Sequence, residues 1–418
     1  MTVEAPPGRS GALVGAGKTL SVAAVGGAAA FAVLVALCQV LALAQYLLLG
    51  GYGLWSWVKI GLLTALLSLR ADVVATVEGT PAFRTATQSA TIPLRLVPMV
   101  LTIGFLWVAG AGGAARAGRR AARVMPGRSP FVTSALAAAG TGITVALLAG
   151  ICASLVTLSF PTLGLRLRID VPSAALWAGV LASAGAGTGA YLEVAGGRAA
   201  VAVLRGGLTA YGWALGLLAM GVFAIATLEP TLTRAYVDGM TGFGAPGSAL
   251  LGFHVLAFPA QSALLLAPAS GSCLEVIGDG PMLDLCPWHL VASGPAGEGF
   301  LPEPLALTPW FWLLSAVPLV AAALGGSRAV TGAGAVGRRA LVLGVAAGVT
   351  FASLTVIGAW FAAPRLSPIV VPIQITLQHA WERTAVTALI WGAVGGALGA
   401  WLAARRYGEP ELPRPTSA

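Results

Sequence analysis

Long apolar runs separated by short polar segments dominate the pattern of this 418-residue chain. Several runs reach the roughly 20 residues that an α-helix needs to cross the hydrocarbon core of a bilayer. The predicted fold class is therefore an all-α integral membrane protein. Its eight predicted membrane spans lie near residues 20–48, 93–115, 131–158, 171–191, 206–227, 308–326, 340–362 and 384–404.

Two further apolar segments carry polar side chains near their centres. Residues 52–70 contain Lys59, and residues 248–268 contain His254 and Gln261. Because a charge at the bilayer centre costs about 2.5–3.5 kcal/mol on insertion scales, both segments are predicted to be re-entrant or interfacial helices. If both cross the membrane instead, the chain has ten spans. The three polar side chains form the candidate polar intramembrane site.

Composition and charge narrow the class of protein further. Hydrophobic residues make up 57% of the chain and charged residues 9%, whereas soluble domains are about 25% charged. The net charge of +9 is carried mainly by arginines between the apolar runs, a pattern that sets membrane topology and favours anionic lipid headgroups. The predicted partners are membrane lipids and other envelope membrane proteins, not nucleic acid.

Clusters of arginine predict which loops face the cytoplasm, because basic residues are enriched in cytoplasmic loops. With eight spans, the chain is an inner-membrane protein of a bacterial cell, with cytoplasmic ends at 1–19 and 405–418 and an acidic outer loop at 270–306. With ten spans, the first cluster faces outward instead. The topology-setting residues are Arg116, Arg119, Arg120, Arg123, Arg338 and Arg339.

The two halves of the chain carry the same features in the same order, which predicts an internal duplication. The repeats are residues 20–204 and 205–404. Each contains Gly-Arg-Arg, at 118–120 and 337–339, and each ends in a glycine-rich span. Period-two alternation at 165–170 and 373–378 predicts a short strand in each half. Eight spans give parallel repeats, and ten give the inverted repeats common in secondary transporters.

Few residues suggest chemistry. Cys273 and Cys286 share the predicted outer loop, where oxidising conditions favour a disulfide between them. The stretch from Gly332 to Gly337 matches a dinucleotide-binding pattern, but it joins two apolar spans instead of following a strand, so it is interpreted as a linker. No catalytic, cofactor-binding or metal-binding residue is predicted, and no cofactor.

Two segments resemble known families. The loop Arg116-Ala-Gly-Arg-Arg-Ala-Ala-Arg123 and the closing span from Trp391 to Trp401 resemble the streptophobe family of uncharacterised hydrophobic proteins. They are also similar to the PerM-like family associated with cell division and envelope integrity. The chain, rich in Arg, Ala and Gly and poor in Lys, looks like an actinobacterial membrane protein. The resemblance implies an architecture and carries over no functional residue.

Two functions follow as hypotheses. The first is a non-enzymatic multi-pass membrane protein that serves envelope organisation or partner binding. The alternative is a secondary transporter with five-plus-five inverted repeats and a site near Lys59 and His254.

Overall fold

The computed structural model describes twelve stretches of the chain and divides it into two compact units. The first unit comprises residues 1–196, 243–257 and 364–374, and the second comprises 197–242, 258–363 and 375–418. The described residues are 9–49, 54–77, 91–94, 99–124, 129–160, 165–195, 199–228, 260–277, 283–285, 311–363, 365–366 and 375–408, with 230, 234, 237 and 238.

Helices form most of both units. In the first unit, a π-helical turn, Ala109–Ala114, joins α3 to α4 without a break. The first unit contains α1 (Arg9–Leu49), α2 (Leu54–Ser68), α3 (Met99–Val108), α4 (Ala115–Val124), α5 (Pro130–Leu155) and α6 (Val171–Val194). The second contains α7 (Ala199–Leu228), α8 (Ala260–Ala269), α9 (Phe311–Leu314), α10 (Ala316–Ala333), α11 (Gly337–Ala362) and α12 (Trp381–Gly408).

Within the described residues, seven helices are long and apolar enough to cross a bilayer, which is compatible with a membrane-embedded protein. The predicted span at 171–191 is also helical, as the 24-residue α6. It is not among the seven, because glycine, serine and threonine dilute its apolar content. The seven segments are Val14–Ala44, Val100–Val124, Pro130–Leu155, Ala199–Ala224, Ala316–Ala333, Gly337–Ala362 and Trp381–Arg406.

The structure is mainly helical, as predicted, and the described strands add two four-stranded sheets to it. Their orders are β2-β1-β4-β3 and β6-β5-β8-β7. The alternating patterns at 165–170 and 373–378 are confirmed as β4 and β8. Of the other strands, β1 is as long as β4 and β8 but almost wholly apolar, and the remaining five have two to four residues, too few for a clear period-two signal. The strands are β1 (Val73–Val77), β2 (Thr91–Leu94), β3 (Thr157–Phe160), β4 (Leu165–Ile169), β5 (Leu274–Ile277), β6 (Leu283–Leu285), β7 (Arg365–Leu366) and β8 (Ile375–His379).

The second predicted span needs correction at both ends. Its helix begins at Met99, not at 93, because Pro93 lies in β2 opposite Val74. A proline fits there because β2 is an edge strand. At the other end the chain stays helical through Val124. The arginines from 116 to 123 therefore lie on a helix, not in a loop.

Helix α4 is amphipathic in a way that explains its arginines. Positions 116, 119, 120 and 123 follow the spacing of one helix face, and all four arginines are exposed. Ala117, Gly118 and Ala121 are buried on the opposite face. A Cβ added to Gly118 would come within 3.2 Å of the Cα of Ala190 in α6. Small residues thus hold α4 against α6, while its arginines stay exposed.

Small residues also make the main helix contacts in the first unit. Five buried alanines recur at every fourth position of α6, which packs along α5. Gly185 and Gly189 of α6 both lie against Gly110 of the π-helical turn. A Cβ on Gly185 would lie 3.0 Å from the carbonyl oxygen of Leu106. The helices therefore meet backbone to backbone.

In the second unit, Gly348 of α11 faces Gly392 of α12, and a Cβ on either residue would overlap the carbonyl oxygen of the other. Gly344 and Gly396 meet in the same way. At the far end of α10, Gly334 and Gly337 have positive φ angles of 58° and 59° and form the turn into α11.

We expect Gly348→Ala to destabilise the protein by about 1–3 kcal/mol, because the added methyl group would overfill a contact between two backbones. Gly216→Ala in α7 is the matched control, since nothing lies within 4 Å of the position of its Cβ. That control should stabilise the helix by up to about 1 kcal/mol. Thermal unfolding in detergent measures both changes. Equal effects of the two substitutions would contradict the role assigned to Gly348.

Candidate functional site

A polar cluster in the first unit lies where α2 ends, β1 begins and α6 starts. We call this cluster the Asp72 junction. Charged and hydroxyl side chains form several hydrogen bonds there. The Asp72 junction consists of Arg70, Asp72, Asp170, Ser173 and Trp177.

The end of α2 places the junction residues. The backbone N–H of Ala71 donates to Leu66 O at 3.0 Å and that of Arg70 donates to Leu67 O at 2.9 Å, which is a Schellman cap. Arg70 occupies the left-handed position of this cap, with φ 65°. Glycine usually fills that position, because a side chain there costs about 1–2 kcal/mol. An arginine at this place therefore needs compensating interactions.

Such an interaction is visible around Arg70. The residue is 1% exposed, and its guanidinium carbon lies 4.1 Å from the centroid of the Trp177 ring. A desolvated cation over a tryptophan face contributes up to about 2 kcal/mol. Nearby, the Thr102 hydroxyl of α3 donates to the carbonyl oxygen of Ser68. Arg70 thus ties the end of α2 to α6, and Thr102 ties it to α3.

Asp72 and Asp170 fix the first turn of α6. The backbone N–H of Asp170 donates to Asp72 O at 2.9 Å. As N-cap, Asp170 accepts from the Ser173 N–H at 3.0 Å. The Ser173 hydroxyl donates to Asp72 Oδ2 at 3.1 Å and accepts from the Asp72 N–H at 3.2 Å. These bonds lock the helix to the strand.

The second unit has the same backbone arrangement with different side chains. Helix α8 ends in a Schellman cap with Gly271 at φ 92°. The Ala380 N–H donates to Cys273 O at 3.2 Å, as Asp170 donates to Asp72 O in the first unit. Here the Ser272 and Thr384 hydroxyls lie 2.8 Å apart. The carboxylates of the Asp72 junction are therefore replaced by hydroxyl groups and by the sulfur of Cys273, which Arg383 contacts.

The predicted intramembrane residues lie elsewhere. Lys59 is half-buried on α2 in the first unit, and Gln261 is half-buried on α8 in the second. His254 lies outside the described residues. Helix α2 is attached to α1 by two bonds: Gln39 Nε2 donates to Val58 O at 3.0 Å, and Trp57 Nε1 donates to Gln39 O at 3.1 Å. No sequence pattern indicates this role for Gln39.

The cysteines divide as their environments suggest. Cys38 and Cys152 are free, and Cys273 is disulfide-bonded. Cys273 also accepts a contact of 3.5 Å from Arg383 Nη1. Cys286 lies outside the described residues, so its pairing with Cys273 stays a prediction.

The topology-setting arginines of α4 lie at the opposite end of α6 from the Asp72 junction. Arg119 Nε is 3.3 Å from Glu193 Oε1, near the end of α6. Since α6 has 24 residues, about 36 Å separate its two ends. Arg338 and Arg339 are exposed at the start of α11.

Most residues of the Asp72 junction were missed as functional candidates by sequence reasoning, although one signal was present. Asp170 followed by Pro172 and Ser173 is a helix-start pattern directly after an alternating strand. Arg70 and Trp177 stand in no recognisable sequence pattern. Their contact joins positions 107 residues apart, which no local pattern reveals.

Comparison of the chain with protein-family models, curated proteins and solved structures found no match. The resemblance to streptophobe and PerM-like proteins therefore stays a prediction, and function is argued from geometry alone.

We expect Arg70→Ala to destabilise the protein more than Arg70→Gly, by about 1 kcal/mol, because only glycine relieves the left-handed backbone. Both variants should be less stable than the parent protein, since both lose the contact with Trp177. Thermal unfolding in detergent measures the order. Trp177→Leu should destabilise the parent but hardly change Arg70→Ala. Additive losses in that double variant would contradict the proposed contact energy.

Proposed function

We propose that this chain is a non-enzymatic, eight-span protein of the bacterial inner membrane that serves envelope organisation. Two parallel four-span repeats would present their sheets and the acidic loop 270–306 to a partner protein on the outer side. One observation carries the proposal: in each unit, arginines lie at the helix ends that point away from the sheet.

In the first unit, the length of α6 gives the distance between the sheet and the arginines of α4. It begins at the sheet, where Asp170 binds Asp72, and it ends beside the ion pair of Glu193 with Arg119. Its length of about 36 Å exceeds the roughly 30 Å thickness of a hydrocarbon core. The sheet and the arginines of α4 would therefore lie on opposite sides of a bilayer. By the positive-inside rule, α4 is cytoplasmic and the sheet is outside.

The second unit supports the same orientation. Helix α12 begins next to Cys273 at the sheet and ends with Arg405 and Arg406. Helix α11 runs the other way, from Arg338 and Arg339 to Ala362. The basic ends of both helices therefore lie away from β5 and β8. If the arginines of both units face the cytoplasm, the two repeats are parallel. The disulfide-bonded Cys273 then lies on the oxidising side.

Several matches between the units support the duplication. Each unit places a long helix, a short helix with a Schellman cap, and then a strand that pairs with the strand before the last helix. Val73 pairs with Ile169 in the first unit, and Leu274 pairs with His379 in the second. The hydrogen bond that starts the last helix is equivalent in both. Common descent of the two halves explains these matches at once.

A role in assembly is supported by what the polar groups do. At both sheets, the described carboxylate, hydroxyl and sulfur groups fasten helix starts to strands. Groups used in this way give rigidity and a fixed presentation of the outer sheets. Rigid presentation suits a partner-binding surface.

The alternative is a secondary transporter with inverted repeats. It is favoured by α2, whose 15 residues span only about 22 Å and whose half-buried Lys59 would lie within the membrane. Short helices carrying polar groups form the sites of many transporters. Inversion, however, would put the arginines of α4 and those of α11 on opposite sides.

Cysteine labelling tests the proposed topology. In a variant with Cys38 and Cys152 replaced by alanine, Arg166→Cys on β4 should react with a membrane-impermeant maleimide in intact cells. Arg120→Cys and Arg338→Cys should react only after permeabilisation. Labelling of position 120 from outside overturns the eight-span arrangement. Labelling of 120 and 338 from opposite sides supports the inverted alternative.

Lys59→Gln separates the two functions. If the role is assembly, this substitution should leave membrane insertion, thermal unfolding and complementation of a deletion strain unchanged. The matched control is Lys18→Gln, which removes the other lysine, on α1. Loss of complementation by Lys59→Gln alone, at normal protein level and stability, would instead support the transporter.

A further inference from the structure

An apolar groove of about 390 Å³ runs along the first unit between α1 and the α3–α4 helix. Two elements form its walls: a run of small and branched residues on α1, and two residues, Val108 and Arg116, that flank the π-helical turn. The α1 wall consists of Ser21, Val22, Val25, Gly26, Ala29, Ala30 and Val33.

The groove exists because both walls lack large side chains. The π-helical turn Ala109–Ala114 contains only alanine and glycine, and the facing part of α1 contributes Gly26, Ala29 and Ala30. Among the described residues, no side chain fills the space between α1 and the α3–α4 helix. Val25 and Val33 are 71% and 53% exposed, so the groove opens to the surroundings of the protein. Its walls offer contacts for hydrocarbon.

The dimensions of the groove match one leaflet. From Ser21 to Val33, α1 rises about 18 Å, and half of a hydrocarbon core is about 15 Å. The arginine lies at one end: Ala117, next to Arg116, packs in a cluster with Ala23. Val108 packs with the cluster that contains Ala30, toward the other end. The groove is thus charged at the end near Ser21 and apolar along its length.

Positive charge surrounds the charged end. Besides Arg116, the exposed face of α4 carries Arg119, Arg120 and Arg123, and it carries no acidic residue. Glu193 pairs with Arg119, which leaves the region strongly basic. An apolar channel with a basic mouth is complementary to an acyl chain with an anionic headgroup.

We propose that this groove binds an anionic diacyl phospholipid. The headgroup phosphate pairs with Arg116, and one acyl chain lies along α1 between Ser21 and Val33. This inference rests on the membrane location in the proposed function, but not on which side α4 faces. The lipid binds at one specific site between α1 and the α3–α4 helix. This binding is distinct from the general attraction of arginines to anionic membranes.

Native mass spectrometry of the detergent-solubilised full chain tests the proposal. Dioleoyl phosphatidylglycerol should form a one-to-one adduct, and dioleoyl phosphatidylcholine a weaker one. Arg116→Gln should weaken phosphatidylglycerol binding about tenfold, as expected for loss of a hydrogen bond to a charged group. The matched control, Arg123→Gln, makes the same charge change on the same helix away from the groove and should bind normally. Equal weakening by both variants overturns the site in favour of diffuse surface attraction.

The acyl chain is tested separately. Ala29→Phe fills the groove from an exposed position and should abolish the adducts of both lipids, whereas Ala36→Phe, exposed on α1 outside the groove, should not. Normal binding by Ala29→Phe overturns the groove. Displacement of phosphatidylglycerol by millimolar inorganic phosphate would reassign the site to phosphate alone. Because binding is measured in detergent, the result can be told apart from a failed topology, which the labelling at 120 and 338 decides.

Discussion

Contact between helix backbones at glycine and alanine is the constraint on which the described structure depends. In lipid, apolar side chains gain nothing by leaving the solvent, so helices associate through close packing and hydrogen bonds. The backbones approach so closely at Gly348 and Gly392, and at Gly110 and Gly185, that a methyl group added to one glycine would crowd the carbonyl oxygen of the other. The same small residues that lower the hydropathy of α6 allow it to contact α4, α5 and the π-helical turn.

The two sheets add a second, polar kind of attachment. In both units a strand follows a capped short helix and pairs with the strand before the last helix. The backbone bonds are equivalent, but Arg70, Asp72 and Ser173 in one unit correspond to Gly271, Cys273 and Arg383 in the other. Backbone geometry thus allowed the side chains to change. If the halves arose by duplication, the charged version is where chemistry specific to one half would be found.

Charge gives each unit a direction. The arginines of α4 and those at the ends of α11 and α12 all lie away from the sheets, so the positive-inside rule applies to each unit by itself. One arginine of α4, Arg116, lines the apolar groove beside α1. This connects orientation with the proposed lipid binding, because a residue predicted to set topology also provides the charge for a headgroup. In this proposal the sheets bind a partner protein at the outer membrane surface, and the groove beside α4 binds lipid at the inner surface.

Seven of the eight predicted spans correspond to long apolar helices, and two of the eight strands were found by their alternation, because both signals are local and periodic. The remaining six strands give no such signal, because β1 is almost wholly apolar and the other five have two to four residues. The arginines of α4 are predicted to lie in a loop, because the face that α4 buries consists of alanine and glycine. The Asp72 junction joins residues about a hundred positions apart, such as Arg70 and Trp177. The sequence by itself determined most of the long apolar helices, which are compatible with a membrane-embedded protein. It also determined that the charge at their ends is positive. Only the tertiary structure decided which backbones touch, which strands pair and where a groove stays open, because these depend on side chains meeting across distant parts of the chain.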